Sequence, residues 1–130
     1  MSFLEVNFKF EVRREDIGDM QPALYILLGA YLNFCTINKV PCLITSLKHD
    51  SVVGRKSLTH STGRAFDISI RGWPTEKVKE FEIMMNRDYA HIAAISASDL
   101  KPRAVVVHEV INPETGKSQG LHAHVQVKPQ

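Results

Sequence analysis

Cysteine and tryptophan are scarce in this chain, with two and one among 130 residues. Cys35 and Cys42 lie seven positions apart, without the paired spacing of a zinc finger. Two reduced, buried thiols are expected, with a single disulfide as the alternative. Neither sign of charge dominates: 16 Lys and Arg against 14 Asp and Glu leave +2, the six histidines counted as neutral. With no lysine-arginine cluster either, nothing argues for a nucleic-acid partner. Long apolar runs are missing too. The longest, Ala23 to Cys35, is interrupted by Gly29 and Asn33 and is too short to span a bilayer. The start, Met1-Ser2-Phe3-Leu4-Glu5, leads into an alternating segment rather than a cationic region and an apolar stretch. Synthesis in the cytoplasm without a signal peptide is therefore expected, and another protein would have to deliver the chain to any target beyond a membrane. Repeats and low-complexity tracts are absent.

What is present suits one globular domain over residues 1–130, with 44% hydrophobic and 23% charged residues and enough chain to bury a core without disulfides. Phe3 to Val12 alternates as a strand. Asp16 or Asp19 can cap the helix that follows, with Pro22 in its first turn. Met20, Ala23, Leu24, Leu27, Leu28, Tyr31 and Cys35 then recur at three and four, the stripe of a core helix ending near Asn38. Val40 to Ser46 reads as a buried strand, and a polar loop, Leu47 to Leu58, leads into His60.

Ala65 to Ile70 alternates. Phe66, Ile68 and Ile70 take one face, leaving Ala65, Asp67 and Ser69 on the other. Gly72-Trp73-Pro74 turns the chain, with Trp73 as its anchor. Thr75 and Glu76 suit the start of a second helix, whose apolar side is Val78, Phe81, Ile83, Met84 and Met85. A third helical piece is expected near Asp88 to Ala97, ended by Lys101-Pro102. Ala104 to Ile111 and Leu121 to Val127 read as a hairpin joined by a turn-rich connection, Asn112 to Lys117. In its second strand Leu121, Ala123, Val125 and Val127 share one face, and His122, His124 and Gln126 the other.

Thr59 to Ser69 and Leu121 to Val127 hold the chemistry. Two imidazoles and a carboxylate that meet in space form a site for a catalytic zinc, which takes three N or O ligands at about 2.0–2.2 Å and keeps one position open. His60, Asp67 and His124 are such a set, and Gly63 permits the tight turn between the first two. These donors accept other divalent ions as well.

His60-Ser61-Thr62-Gly63-Arg64-Ala65-Phe66-Asp67, with His122-Ala123-His124-Val125, resembles the His-x-x-Gly-x-Ala-x-Asp and His-x-His motifs of the zinc D-Ala-D-Ala carboxypeptidase and L-Ala-D-Glu peptidoglycan endopeptidase family, whose fold is shared by the signalling domain of hedgehog. The order of elements is similar along most of the chain. The resemblance implies zinc bound by His60, Asp67 and His124, a peptidoglycan stem peptide as partner and substrate, and a phage endolysin as one setting. Departures exist. Leu58 replaces the serine usual two residues before the first ligand, and Lys48 stands near the place of an arginine that holds the substrate carboxylate, without its bidentate fork. The family's basic carboxylate, three or six residues before the last ligand, is replaced by Leu121 or Ser118.

For the general base this leaves Glu109 on the partner strand, Glu114 in the hairpin tip, and His122, which shares a face with His124 and can hold the proton or stabilise the oxyanion. Glu109 is favoured as base, with His122 in the site; the alternatives are a charge on the open side of a sheet and a supporting imidazole. His49 could guide substrate, whereas His108 reads as a packed or surface histidine. The expected architecture is α+β, a mostly antiparallel sheet flanked by helices with a zinc cleft on its open face. Zinc-dependent hydrolysis of a peptidoglycan peptide bond, of D,D or L,D type and carboxy- or endopeptidase in mode, is the expected function. The rival is a catalytically inactive zinc-containing module that binds cell wall or protein.

Overall fold

Seventeen residues, Pro22–Asn38, form helix α1 in the computed structural model, which describes residues 7–8, 20–46, 64–96, 99–111 and 114–128. Pro22 occupies the first turn, where its missing N–H costs nothing. Gln21 holds the capping position without a side-chain hydrogen bond, and Asp16 and Asp19 lie outside the described residues. At the other end Lys39 enters the left-handed region (φ 54°), and Val40 N–H donates to Cys35 O at 3.2 Å, closing the helix. The stripe is buried as its spacing requires: Ala23, Leu24, Leu27, Tyr31, Phe34 and Cys35 face inward.

The other elements are β1 (Asn7–Phe8), β2 (Leu43–Ser46), β3 (Ala65–Ser69), α2 (Thr75–Asp88), a 3-10 turn (Ala90–Ile92), β4 (Val105–Ile111) and β5 (Ser118–Gln126). The strands make one sheet in the order β1-β2-β3-β5-β4, antiparallel throughout except for β1 beside β2. The class is α+β. Of the expected first strand, only Asn7–Phe8 falls among the described residues. Among those residues no helix is long and apolar enough to cross a membrane.

One hydrophobic cluster joins the helices to the sheet. Phe66 and Ile68 on β3, Ala123 and Val125 on β5 and Val105 on β4 supply the sheet's share, and Tyr31, Phe34, Phe81 and Met85 that of the helices. Trp73 anchors its turn as expected: its indole N–H donates to Pro41 O at 2.8 Å and its ring lies 5.6 Å from both Phe34 and Phe81. Cys35 and Cys42 are free and buried. Burial pushes the Tyr31 hydroxyl up, and Cys42 together with burial pushes the Cys35 thiol up, so neither titrates near neutral pH.

Three expectations need correction. Ile83 is 61% exposed, because it stands about 200° around α2 from Phe81, and the buried line runs through Phe81 and Met85 instead. The third helical piece is only the 3-10 turn. Beyond it Ala93 bridges to Val127 and Ile95 to Pro102, and these isolated extended pairings replace helical hydrogen bonds. β5 begins at Ser118, ahead of the expected Leu121, since Ile111 pairs with Ser118 after a register shift beyond Glu109.

Asn86 of α2 fastens the end of β4: its side-chain N–H donates to Val105 O and its Oδ1 accepts from Val105 N–H, both at 3.0 Å. Val105 thus turns its backbone groups outward. Asn86→Ala is expected to cost about 1–3 kcal/mol by stranding both groups, which urea denaturation would measure.

Candidate functional site

The register of β3 against β5 decides what the open face carries. Asp67 lies directly across from His124, Ser69 from His122 and Phe66 from Val125. Facing pairs share a side of the sheet, so Asp67 and His124 rise together opposite the face that packs Phe66 and Val125 under the helices. His124 Nδ1 is 2.7 Å from Asp67 Oδ1, and the two side chains retain 15% and 17% of their exposure. That suits a pair that must be reached by a ligand yet held in place.

Gln126, two residues on and on the same face, fixes the imidazole. Its amide N–H donates to Arg103 O at 3.1 Å, which leaves Oε1 to meet His124 Nε2, also at 3.1 Å. An amide oxygen only accepts, so Nε2 carries a proton. Nδ1 and Asp67 Oδ1 at 2.7 Å are at hydrogen-bond distance, closer than two ligands of one tetrahedral zinc stand, so a metal held by both would part them. The donor set fits a metal: one imidazole nitrogen and one carboxylate oxygen, with a hydrogen-bonded partner behind the ring as metal-binding histidines require. Were the pair to hold zinc, Gln126→Met, which retains length and loses the acceptor, would weaken that binding about 10- to 100-fold in a chelator competition.

His122 faces Ser69 on one side and His108 on the other. The His108 and His124 rings are 6.5 Å apart, so three imidazoles share the face with Asp67. His108 is exposed and belongs to this group, not only to a packed or bare surface. Glu109 does not join them. It pairs with Leu121 and has the parity of Val105 and Val107, which puts it on the other face of the sheet and removes it from reach of Asp67 and His124. Leu121, although on the apolar parity, is 52% exposed. Glu114 is exposed in the turn at the hairpin tip.

The expected ligand His60 and the substrate-binding candidates Lys48 and His49 lie outside the described residues. Among the described residues no group of three His, Cys, Asp or Glu side chains forms a metal cage, and Asp67 with His124 is the part of the expected triad that the structure brings together. Gln126 and His108 were the residues least apparent beforehand. Gln126 had one signal, its place two residues from His124 on the same strand face. His108 had none without the hairpin register.

Among the described residues two cavities border the sheet. The larger, about 560 Å³, lies between α2 and β4, away from Asp67 and His124, and two of its ions are paired, Arg87 with Asp88 and Arg103 with Asp99. Arg103 pairs with Asp99 at 2.9 Å, and the Lys101 N–H and Arg103 hold the Asp99 carboxyl below its usual range. The smaller, about 290 Å³, lies at the end of β3 and is lined by residues of both sheet faces, Ser69 and His122 from the open one and Ile70 and Leu121 from the packed one. Comparison with protein-family models, curated proteins and solved structures finds no match to this chain.

Proposed function

We propose that the protein hydrolyses a peptide bond of the bacterial peptidoglycan stem peptide, as a zinc metallopeptidase of D,D or L,D type with a hedgehog/DD-peptidase-like fold. The observation that carries this is the facing of Asp67 and His124 on neighbouring strands, 2.7 Å apart, with Gln126 behind the imidazole. His60 would complete the set that holds the metal. Zinc in such a site supplies Lewis acidity, polarising a carbonyl and acidifying water.

The chain's own residues do the rest. Gln126 keeps His124 in one tautomer and orientation, so its Nδ1 is presented to the site without a search over ring flips. His122 stands one same-face step along β5, roughly 7 Å from His124 along the strand, and takes the role of moving a proton. His108, its cross-strand partner, is placed to share that task. Ser69 and His122 border the adjoining cavity, where a substrate side chain can sit.

A second reading has its own support. Among the described residues of β3, β4 and β5, Asp67 is the only carboxylate on this face, and Glu109 is on the other. A zinc-containing module that binds cell wall or protein without cutting it would have this arrangement.

Digestion of purified Gram-negative and Gram-positive peptidoglycan by zinc-loaded and chelated protein separates the two. The peptidase releases new peptide termini that name the bond, and the chelator abolishes their release. Stoichiometric zinc with neither wall cut would favour the binding module.

A further inference from the structure

Among the described residues β4 is the outermost strand of the sheet, with β5 on one side and no strand on the other. The Asn86 amide, which exchanges two hydrogen bonds with the backbone of Val105, marks which groups of β4 point outward. Residues two apart on a strand share that direction. The N–H and C=O of Val107 and Glu109 therefore also point away from β5, while those of Val106 and His108 turn toward it. Val107 and Glu109 have no hydrogen bond on the outer side among the described residues. This open edge is short and bounded at both ends. Asn86 closes it at Val105, and past Glu109 the pairing with β5 shifts, which sharpens the local twist. Proline and lysine, common guards of an exposed edge, are absent from Val105–Ile111. Beside the edge, on α2, Ile83 is exposed in the wall of the cavity between α2 and β4.

From these features we propose that β4 pairs antiparallel with β4 of a second copy of this chain, about a twofold axis at His108. The open stretch is symmetrical about that residue. Val107 of each copy then faces Glu109 of the other, and their outward groups satisfy one another in roughly four hydrogen bonds. The neighbouring registers fail. An axis at Val107 would set Val105, whose groups Asn86 already holds, against Glu109 of the other copy, and an axis at Glu109 would set two like charges directly opposite. With the axis at His108, Val105 lies across from Ile111, beyond the regular ladder. A foreign peptide fits this edge less well. Running on toward Val105 it meets the Asn86 amide, whereas a second copy makes every contact twice and brings its own Ile83 to its neighbour's cavity. Extending one sheet across such an axis keeps its faces, so both Asp67–His124 pairs look the same way. The pairing stands whether or not those pairs cut peptide.

Sedimentation velocity over a concentration series, with amide hydrogen exchange at each end of it, tests this on the whole chain. The wild type should pass from monomer to dimer in the micromolar range, and the Val107 and Glu109 amides should gain protection as it does. Ile83→Ala, which leaves the folding of the dilute monomer nearly unchanged, should raise the dissociation constant at least about tenfold, because the lost apolar burial counts twice in the dimer. The register has its own readout. Facing residues of a non-hydrogen-bonded pair have Cα atoms about 4.5 Å apart, within disulfide range, so oxidised glutathione should link two copies of His108→Cys but not of Glu109→Cys. The wild type, with both thiols buried, should stay unlinked. Monomer alone up to about 1 mM overturns the proposal. So does a dimer in which neither amide gains protection, one that Ile83→Ala leaves as tight, or equal linking of the two cysteine variants. A monomer whose two amides are protected only when a stem peptide is added overturns it as well, and gives the edge to the peptide.

Discussion

Asp67→Asn protein should bind zinc more than about 100-fold more weakly than the wild type, since even partners behind a metal ligand are worth about 10- to 100-fold. The substitution retains size and a carbonyl oxygen opposite His124, so the strand pairing between Asp67 and His124 has no reason to change. What it removes is the negative charge that makes this oxygen a good metal donor. Two readouts separate a metal role from a structural one. Competition with a chromophoric chelator reports affinity, and thermal melts with and without zinc report the linked stabilisation, which grows with metal concentration over Kd only in a protein that binds when folded. The wild type should gain melting temperature on adding zinc. Asp67→Asn should melt near the metal-free wild type and gain almost nothing. Hydrolysis of peptidoglycan should disappear with the metal.

Phe81→Ala should be the most destabilising single change in the core described here, at about 3–5 kcal/mol. The Phe81 ring is wholly buried and lies 5.1 Å from Phe34, 5.6 Å from Trp73 and 6.0 Å from Tyr31, in tilted and edge-on contacts. Truncation opens a cavity among three rings held by different segments, α1 and the turn before α2, which cannot all move inward at once. A loss of that size is a large part of the 5–15 kcal/mol that a domain typically has. Urea denaturation followed through Trp73, the only tryptophan, would measure it directly. Ile83→Ala on the same helix, at an exposed position, should stay within about 0.5 kcal/mol and serves as the control.

Periodicity made the scaffold legible where one face is buried. The stripe from Ala23 to Cys35 and the alternation of Phe66 and Ile68 around Asp67 each appear in the sequence as they appear in the fold, because burial on one side selects those spacings. Ile83 misled because it is apolar but stands across α2 from the buried line. The segment after Tyr89 misled because alanine and isoleucine spaced for a helix are also compatible with bridges to Val127 and Pro102, and contacts distant in sequence chose between them.

For the site, the two faces of β5 were legible, and with them the grouping of His122, His124 and Gln126. The facing of His124 with Asp67 depends on a register between strands 57 residues apart, which no local pattern fixes. Glu109 shows the same limit. Its candidacy as base required one parity of the hairpin and the actual register has the other, so one residue of slip separates a base from a charge on the wrong side.

The central claim, a zinc ion held by His60, Asp67 and His124, is tested most directly by X-ray absorption at the zinc edge on stoichiometrically loaded wild-type protein and on His60→Ala. The account predicts a first shell of nitrogen and oxygen alone at about 2.0–2.2 Å with the scattering of two imidazoles, falling to one in the variant. Sulfur in the shell, or an imidazole count that His60→Ala leaves unchanged, would contradict it.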